Sequence, residues 1–221
     1  LKQNESEKRH LEVEKLIAQI NPHFLYNTLN TVQWLAKTRG QDDIVNLVTV
    51  FIRLLKYNLG KDGGFVSLGK EVNALKDYMA LQSIRYHYDF PIRIHVDPEV
   101  LERQVPRFLL QPLIENALYH GQMLDGGTIT LTIELEGDEH VRIQVEDTGK
   151  GMSEELLNQI LHSGIPEQRK VGMGIGLNYV NTMLKVNFGE DARLHVDSSA
   201  AGTKVYFRIP ALTIGTEGNH D

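Results

Sequence analysis

Apolar positions over the first sixty residues recur with a helical period. Val13, Ile17, Ile20 and Phe24 alternate four- and three-residue spacings, the stripe of a coiled-coil-like helix. After Pro22 the stripe restarts one residue out of phase, through Leu25, Leu29, Val32 and Ala36. A slip of that kind beside a proline is what a local kink produces. Residues 5 to 38 are therefore predicted to form one helix bent at Pro22. Arg39-Gly40-Gln41-Asp42-Asp43 reads as a turn, the glycine stopping one helix and an aspartate starting the next. A second helix, to about Leu59, carries Ile44, Val48, Phe51 and Leu55 on one face. Two antiparallel helices with one apolar face each cannot bury both faces alone. A self-paired four-helix bundle is the economical solution, so residues 1 to 62 are read as a helical dimerisation hairpin.

Gly60-Lys61-Asp62-Gly63-Gly64 is flexible and polar, and marks a boundary. Beyond it the periodicity shifts towards two. Ile92 to Asp97, Thr128 to Leu135, Val141 to Glu146, Leu194 to Asp197 and Lys204 to Ile209 alternate as strands do. Helices are predicted from Ser67, with Glu71 completing a capping-box-like start, to about Tyr86, then over 106–120, 153–162 and 176–187. Strands clustered around few helices, with tight turns such as Glu136-Gly137-Asp138, give an α+β fold. Its sheet is expected to be mixed, mostly antiparallel and covered on one face. This second domain spans residues 63–212, and residues 213–221 form a polar tail.

Composition narrows the function classes. The net charge of −6 lacks the basic face that nucleic acid requires, so no nucleic-acid partner is expected. The absence of cysteine excludes disulfides and thiolate metal sites. No apolar run approaches the roughly 18 residues of a membrane span. The chain opens without methionine in a charged, helix-prone segment, as a piece of a longer protein would.

Four segments carry candidate chemistry. Ile20-Asn21-Pro22-His23-Phe24-Leu25-Tyr26-Asn27 puts a proline and a histidine inside a helical pattern. An interior proline costs about 3 kcal/mol, which suggests a kink beside a working side chain and makes His23 a candidate phosphoryl acceptor. On those eight residues alone, a kinked helix with a half-buried histidine is the plainer account. Leu113 to Gly121 places Asn116 and His120 one turn apart on an apolar helix, facing the same way. Asn116 can offer its carbonyl oxygen to Mg²⁺, which takes few protein ligands beside phosphates and water; a mutual hydrogen bond between the two is the plainer account. Glu146-Asp147-Thr148-Gly149-Lys150-Gly151-Met152 follows a strand, its glycines permitting close approach and Asp147 able to accept the adenine amino group. An ordinary Asp-Thr-Gly turn fits as well. Val171-Gly172-Met173-Gly174-Ile175-Gly176 feeds a helix N-terminus and presents bare amides to phosphate. It matches neither a dinucleotide fingerprint nor a P-loop.

Taken in this order, the segments resemble the GHKL ATP-binding fold shared by histidine kinases, gyrase-type topoisomerases, Hsp90 and MutL. Leu113 to Gly121 is similar to its N box, Asp147 to Gly151 to its D-x-G-x-G box, Gly172 to Gly176 to its G-x-G-x-G box, and Gly202-Thr203 to its terminal Gly-Thr. With Asn21-Pro22-His23-Phe24-Leu25-Tyr26-Asn27 ahead of them, the chain resembles LytS/YesM-like sensor histidine kinases from about residue 12 to 210. The resemblance implies ATP and Mg²⁺ as cofactors and autophosphorylation on His23, then transfer to an aspartate of a cognate response regulator. It implies Asn116 as the Mg²⁺ ligand, with His120 beside it, Asp147 recognising adenine with Thr203 in support, Gly149 and Gly151 shaping the pocket, and Gly172, Gly174 and Gly176 framing the phosphates. Residues 153 to 171 would form a short ATP lid, in which charge and position make Arg169 and Lys170 phosphate contacts. It also implies a homodimer through the N-terminal helices, and the cytoplasmic portion of a bacterial cell-membrane protein whose sensor lies upstream of Leu1. The sequence departs from relatives in places. Pro112 stands where gyrase-like members carry a carboxylate, which leaves Glu115 as the nearest candidate base. Tyr179 and Met183 stand where the subfamily often has asparagine and arginine. A GHKL ATPase, or a nucleotide-binding scaffold without phosphohistidine chemistry, is the alternative function.

Overall fold

A computed structural model describes residues 22–60, 64–120, 127–152, 157 and 175–211. The chain divides into two compact units, Leu1–Gly60 and Lys61–Asp221.

The first unit contains helices α1 (Pro22–Thr38) and α2 (Asp42–Leu59). The stretch before Pro22, and with it the expected kink and the Val13–Ile20 stripe, lies outside the described residues. α1 ends as a glycine-terminated helix should. Gly40 takes φ 65°, its amide donates to the Lys37 carbonyl at 3.1 Å, and the Gln41 amide returns to Ala36 at 3.0 Å. That pair of bonds is the Schellman motif. No aspartate caps α2; Gln41 holds the cap position without a side-chain bond, and Asp42 and Asp43 sit in the first turn. There their charge meets the positive end of the helix dipole, which stabilises the start without a cap.

The helices pack on each other, but the seam differs from the expected stripes. On α1, Leu25, Leu29 and Gln33 are half-buried and Ala36 buried, while Val32 is exposed. Gln33 takes the place predicted for Val32 because its amide donates to Thr49 Oγ1 across the hairpin at 2.7 Å. On α2, Val48, Val50, Ile52 and Leu54 are buried, whereas Ile44 and Phe51 are each 42% exposed. The apolar surface left outside therefore comprises Phe24, Val32, Trp34, Leu35, Ile44 and Phe51.

The second unit begins with β1 (Phe65–Ser67) and α3 (Leu68–Tyr86). Ser67 caps α3, accepting from the Lys70 amide at 3.4 Å. Glu71 does not complete a capping box; it turns inward, for reasons given below. β2 (Ile92–Val96), β3 (Gln104–Pro106), α4 (Gln111–His120), β4 (Ile129–Glu136), β5 (His140–Asp147), α5 (Ile175–Phe188), β6 (His195–Ser199) and β7 (Gly202–Pro210) follow. α4 is shorter than the 106–120 expected, because residues 104–106 pair with β1 and Phe108 turns into left-handed backbone, φ 61°. The helix expected over 153–162 lies outside the described residues save Leu157, as does the tail.

The main sheet has the order β2-β4-β5-β7-β6. Only β2 runs parallel to its neighbour, so the sheet is mixed and mostly antiparallel, as the alternation predicts. Ile129, Leu131 and Ile133 of β4, Val141, Ile143 and Val145 of β5, and Val205, Phe207 and Ile209 of β7 are buried at alternate positions. α4 packs on β4 and β5, and α5 on β7, and they bring Leu113, Ile114, Ala117, Leu177, Val180 and Leu184 to the core. The intervening strand positions form the opposite, polar face. Arg208 grips the Glu136 carboxylate with two nitrogens, Lys204 meets Glu146 at 3.3 Å, and His195 stacks on Tyr206 at 5.1 Å. One face of the sheet is thus reserved for the helices that carry the functional side chains.

Candidate functional site

Asp147 ends β5 with its side chain buried. Its Oδ1 accepts from the Gly149 amide at 2.9 Å and more distantly from the Thr203 amide at 3.4 Å. Thr203 is opposite Asp147 in the β5–β7 register, so the sheet itself supplies the second donor. Two amides on one oxygen fix the plane of the carboxylate before any ligand arrives. The register brings Gly202 just as close. A Cβ there would lie 1.9 Å from the Asp147 carbonyl oxygen, and its φ of 136° suits glycine alone. Gly151 (φ 72°) has the same constraint, since a Cβ would lie 1.9 Å from the Ser199 carbonyl. The turn after β5 is thereby pressed against the β6–β7 hairpin. Ser198 closes this contact, accepting from the Met152 amide at 2.7 Å and meeting Thr203 Oγ1 at 3.0 Å. Nothing in the alternation of β6 marks Ser198 for that role. Only the cross-strand register reveals it.

Asn116 lies on α4 and is 9% exposed. A half-buried or buried amide carbonyl on a rigid helix is a chemically suitable oxygen donor to a hard cation. Among the described residues no cluster of three or more acidic or histidine side chains could hold a metal on its own. Glu115 points elsewhere. Its Oε1 accepts from Gln111 at 2.8 Å, and it is hydrogen-bonded to Tyr78. Burial, then the Glu115 charge and Tyr119, push the Tyr78 hydroxyl far above its ordinary range, so Tyr78 stays a donor. Burial and a bond to Tyr86 likewise raise Tyr119. The side chain of His120, which ends α4, lies outside the described residues, as do Gly172, Gly174, Arg169 and Lys170.

Gly176 is described, and it faces α4. A Cβ there would lie 3.1 Å from the Pro112 Cβ. Its smallness serves the packing of α5 on the first turn of α4. Glu71, 3% exposed on α3, sits near the same junction. Its two oxygens accept from the Phe108 amide at 2.8 Å and the Leu110 amide at 3.0 Å. Burial and, after it, the Glu71 charge raise the Tyr179 hydroxyl.

The structure thus gathers Asp147, Gly149, Gly151 and Thr203 at one end of the sheet and places Glu115 and Asn116 on a helix covering it. His23 belongs to the other unit. It is exposed on the first turn of α1, its Nδ1 3.1 Å from the Asn27 side-chain nitrogen one turn on.

Comparison with known proteins gives two profile matches. Residues 11–90 match the profile described as Histidine kinase, and residues 102–213, half of the chain, match that of the Histidine kinase-, DNA gyrase B-, and HSP90-like ATPase. Sensor histidine kinase BtsS of Escherichia coli (strain K12) is 30% identical over 202 residues, 90% of this chain and 33% of its own. Sensor protein kinase HptS of Staphylococcus aureus (strain USA300) is 31% identical over 208 residues, 91% of this chain and 39% of its own. The chain therefore spans about a third of the length of the curated relatives it matches. The second unit has the fold of the catalytic domain of histidine kinase ThkA, with a TM-score of 0.51 at 19% identity over 66% of this chain and 95% of that one. The chain belongs to the Histidine kinase-, DNA gyrase B-, and HSP90-like ATPase family.

Proposed function

We propose that the chain is the cytoplasmic kinase portion of a membrane-bound, LytS/YesM-like two-component sensor, which phosphorylates itself on His23 from ATP and passes the phosphoryl group to a response-regulator aspartate. The observation that carries this reading is the pairing, in one chain, of an exposed imidazole on a helical hairpin with a preorganised carboxylate at the end of β5.

Asp147 would accept the adenine amino group, its plane held by Gly149 and Thr203, while Gly149 and Gly151 shape the wall beside it. Asn116 would hold Mg²⁺, and bound Mg²⁺ supplies charge neutralisation across the phosphates. The neutral imidazole of His23 supplies the nucleophilic nitrogen. A bond forms from that nitrogen to the γ-phosphorus as the bond to the ADP oxygen breaks, and the imidazole proton passes to solvent or a base. Glu115, already accepting from Gln111 and Tyr78, is better suited to bracing α4 than to taking that proton. To test the reading, the chain is incubated with Mg²⁺ and γ-labelled ATP. Acid-labile, base-stable label on the protein is the expected result; steady phosphate release without label would instead make it an ATPase.

The hairpin would act as a homodimer. Phe24, Val32, Leu35, Ile44 and Phe51 lie exposed along its two helices, and a second copy of the same surface would bury them. Leu35→Asp together with Phe51→Asp is expected to convert the dimer to a folded monomer, read by light scattering and circular dichroism. A dimer that survives both changes would place the interface elsewhere.

A further inference from the structure

We propose that Glu71 is a positioning residue for metal-bound nucleotide, its carboxylate setting the start, and so the register, of the helix that carries Asn116. The inference rests on the reading of Asn116 as a Mg²⁺ ligand. Leu110 opens α4, since its carbonyl accepts from the Leu113 amide at 3.1 Å and the Ile114 amide at 3.3 Å. Its own amide, and that of Phe108, are the two that Glu71 holds, at 3.0 and 2.8 Å. The carboxylate therefore grips the chain on both sides of Leu109, immediately before the residue that opens the helix. These bonds are to a charged acceptor and are stronger than neutral ones.

The turn needs such a grip. Phe108 adopts φ 61°, backbone that a bulky side chain avoids unless its surroundings enforce it. Glu71 comes from α3, so the enforcement is external to the turn, acting across 37 and 39 residues of sequence. Asn116 lies less than two helical turns beyond Leu110, on a helix with no glycine or internal proline past its second residue to absorb a displacement. A shift at Leu110 is therefore carried to the Asn116 oxygen, and a misplacement of about 1 Å is enough to spoil a ligand. The first turn of α4 also meets α5 through the Pro112–Gly176 contact, and Tyr179 of α5 senses the Glu71 charge. Glu71 thus stands where the helices bearing the N box and the glycine run are fitted together.

Glu71→Gln keeps the shape but turns one acceptor into a donor facing an amide. The measurement is the Mg²⁺ dependence of binding of a fluorescent, non-hydrolysable ATP analogue. The Mg²⁺ concentration at half-saturation is expected to rise about tenfold, as for other supports of a metal ligand, with metal-free affinity unchanged to within about twofold. Adding Phe108→Gly, which accepts the positive φ without external help, is expected to recover most of that loss. Should Glu71→Gln not fold, Glu71→Asp, one methylene short of both amides, bears the same comparison. If the substitution lowers only thermal stability, or weakens metal-free and metal-dependent binding alike, the carboxylate merely stabilises the fold and the proposal is overturned. Wild-type protein that binds the analogue with no Mg²⁺ dependence would overturn the Asn116 assignment and the proposal with it. Wild-type protein that binds no analogue at all would overturn the kinase reading and the proposal together.

Discussion

His23→Gln abolishes acid-labile labelling from ATP while leaving nucleotide affinity within about twofold of wild type; that is the result expected of a surface substitution in the unit that does not carry Asp147. The imidazole is exposed and belongs to the helical unit, whereas Asp147, Asn116 and Thr203 belong to the other. Glutamine retains a polar group within reach of Asn27. The stability change should stay within about 0.5 kcal/mol. Labelling and binding are therefore expected to separate cleanly. Label that persists in His23→Gln moves the acceptor to another residue. Labelling and affinity lost together would mean that the substitution disturbs the fold, which circular dichroism would register.

How much of this was legible beforehand depends on the range of each signal. The β-alternation located every strand of the five-stranded sheet to within about two residues, because side-chain burial there repeats at the period the strand imposes. Gly40 announced the end of α1 because a left-handed terminus is a local requirement. The seam of the hairpin was misread for the opposite reason. Whether Val32 or Gln33 faces α2 depends on a partner residue, Thr49, that periodicity does not include. β1 and β3 are three residues each, too short for a period to show. At the site, Asp147 and the glycines around it could be read from the motif, since tight turns dictate their residue types. Glu71 and Ser198 could not. Each takes its role from an amide far along the chain, and Glu71 offered a plausible local use as a capping residue that the fold declines.

Gly202→Ala is expected to damage the proposed nucleotide site severely. The β5–β7 register sets Gly202 beside the end of β5, and an added Cβ would lie 1.9 Å from the Asp147 carbonyl oxygen and 2.9 Å from its carbon. Backbone atoms cannot swing aside as a flexible side chain can, and alanine at φ 136° is strained in any case. Overpacking and backbone strain each cost about 1–3 kcal/mol, so a loss of about 4 kcal/mol in stability follows. The accommodation open to the chain is to move the hairpin away from β5. That movement carries the Thr203 amide off Asp147 Oδ1 and loosens Ser198 from Met152, so the carboxylate loses its preset plane. ATP affinity is expected to fall about tenfold to a hundredfold at a temperature where the variant remains folded, because a hydrogen bond to a charged group is worth about 1.5–3 kcal/mol. Gly64→Ala provides the control. Its Cβ would meet nothing within 4 Å, so alanine is accommodated there without displacement. Calorimetry on both variants separates the readings: comparable, small losses of affinity would mean that Asp147 does not depend on the hairpin for its orientation, whereas a large loss at Gly202 alone ties adenine recognition to the register of β7.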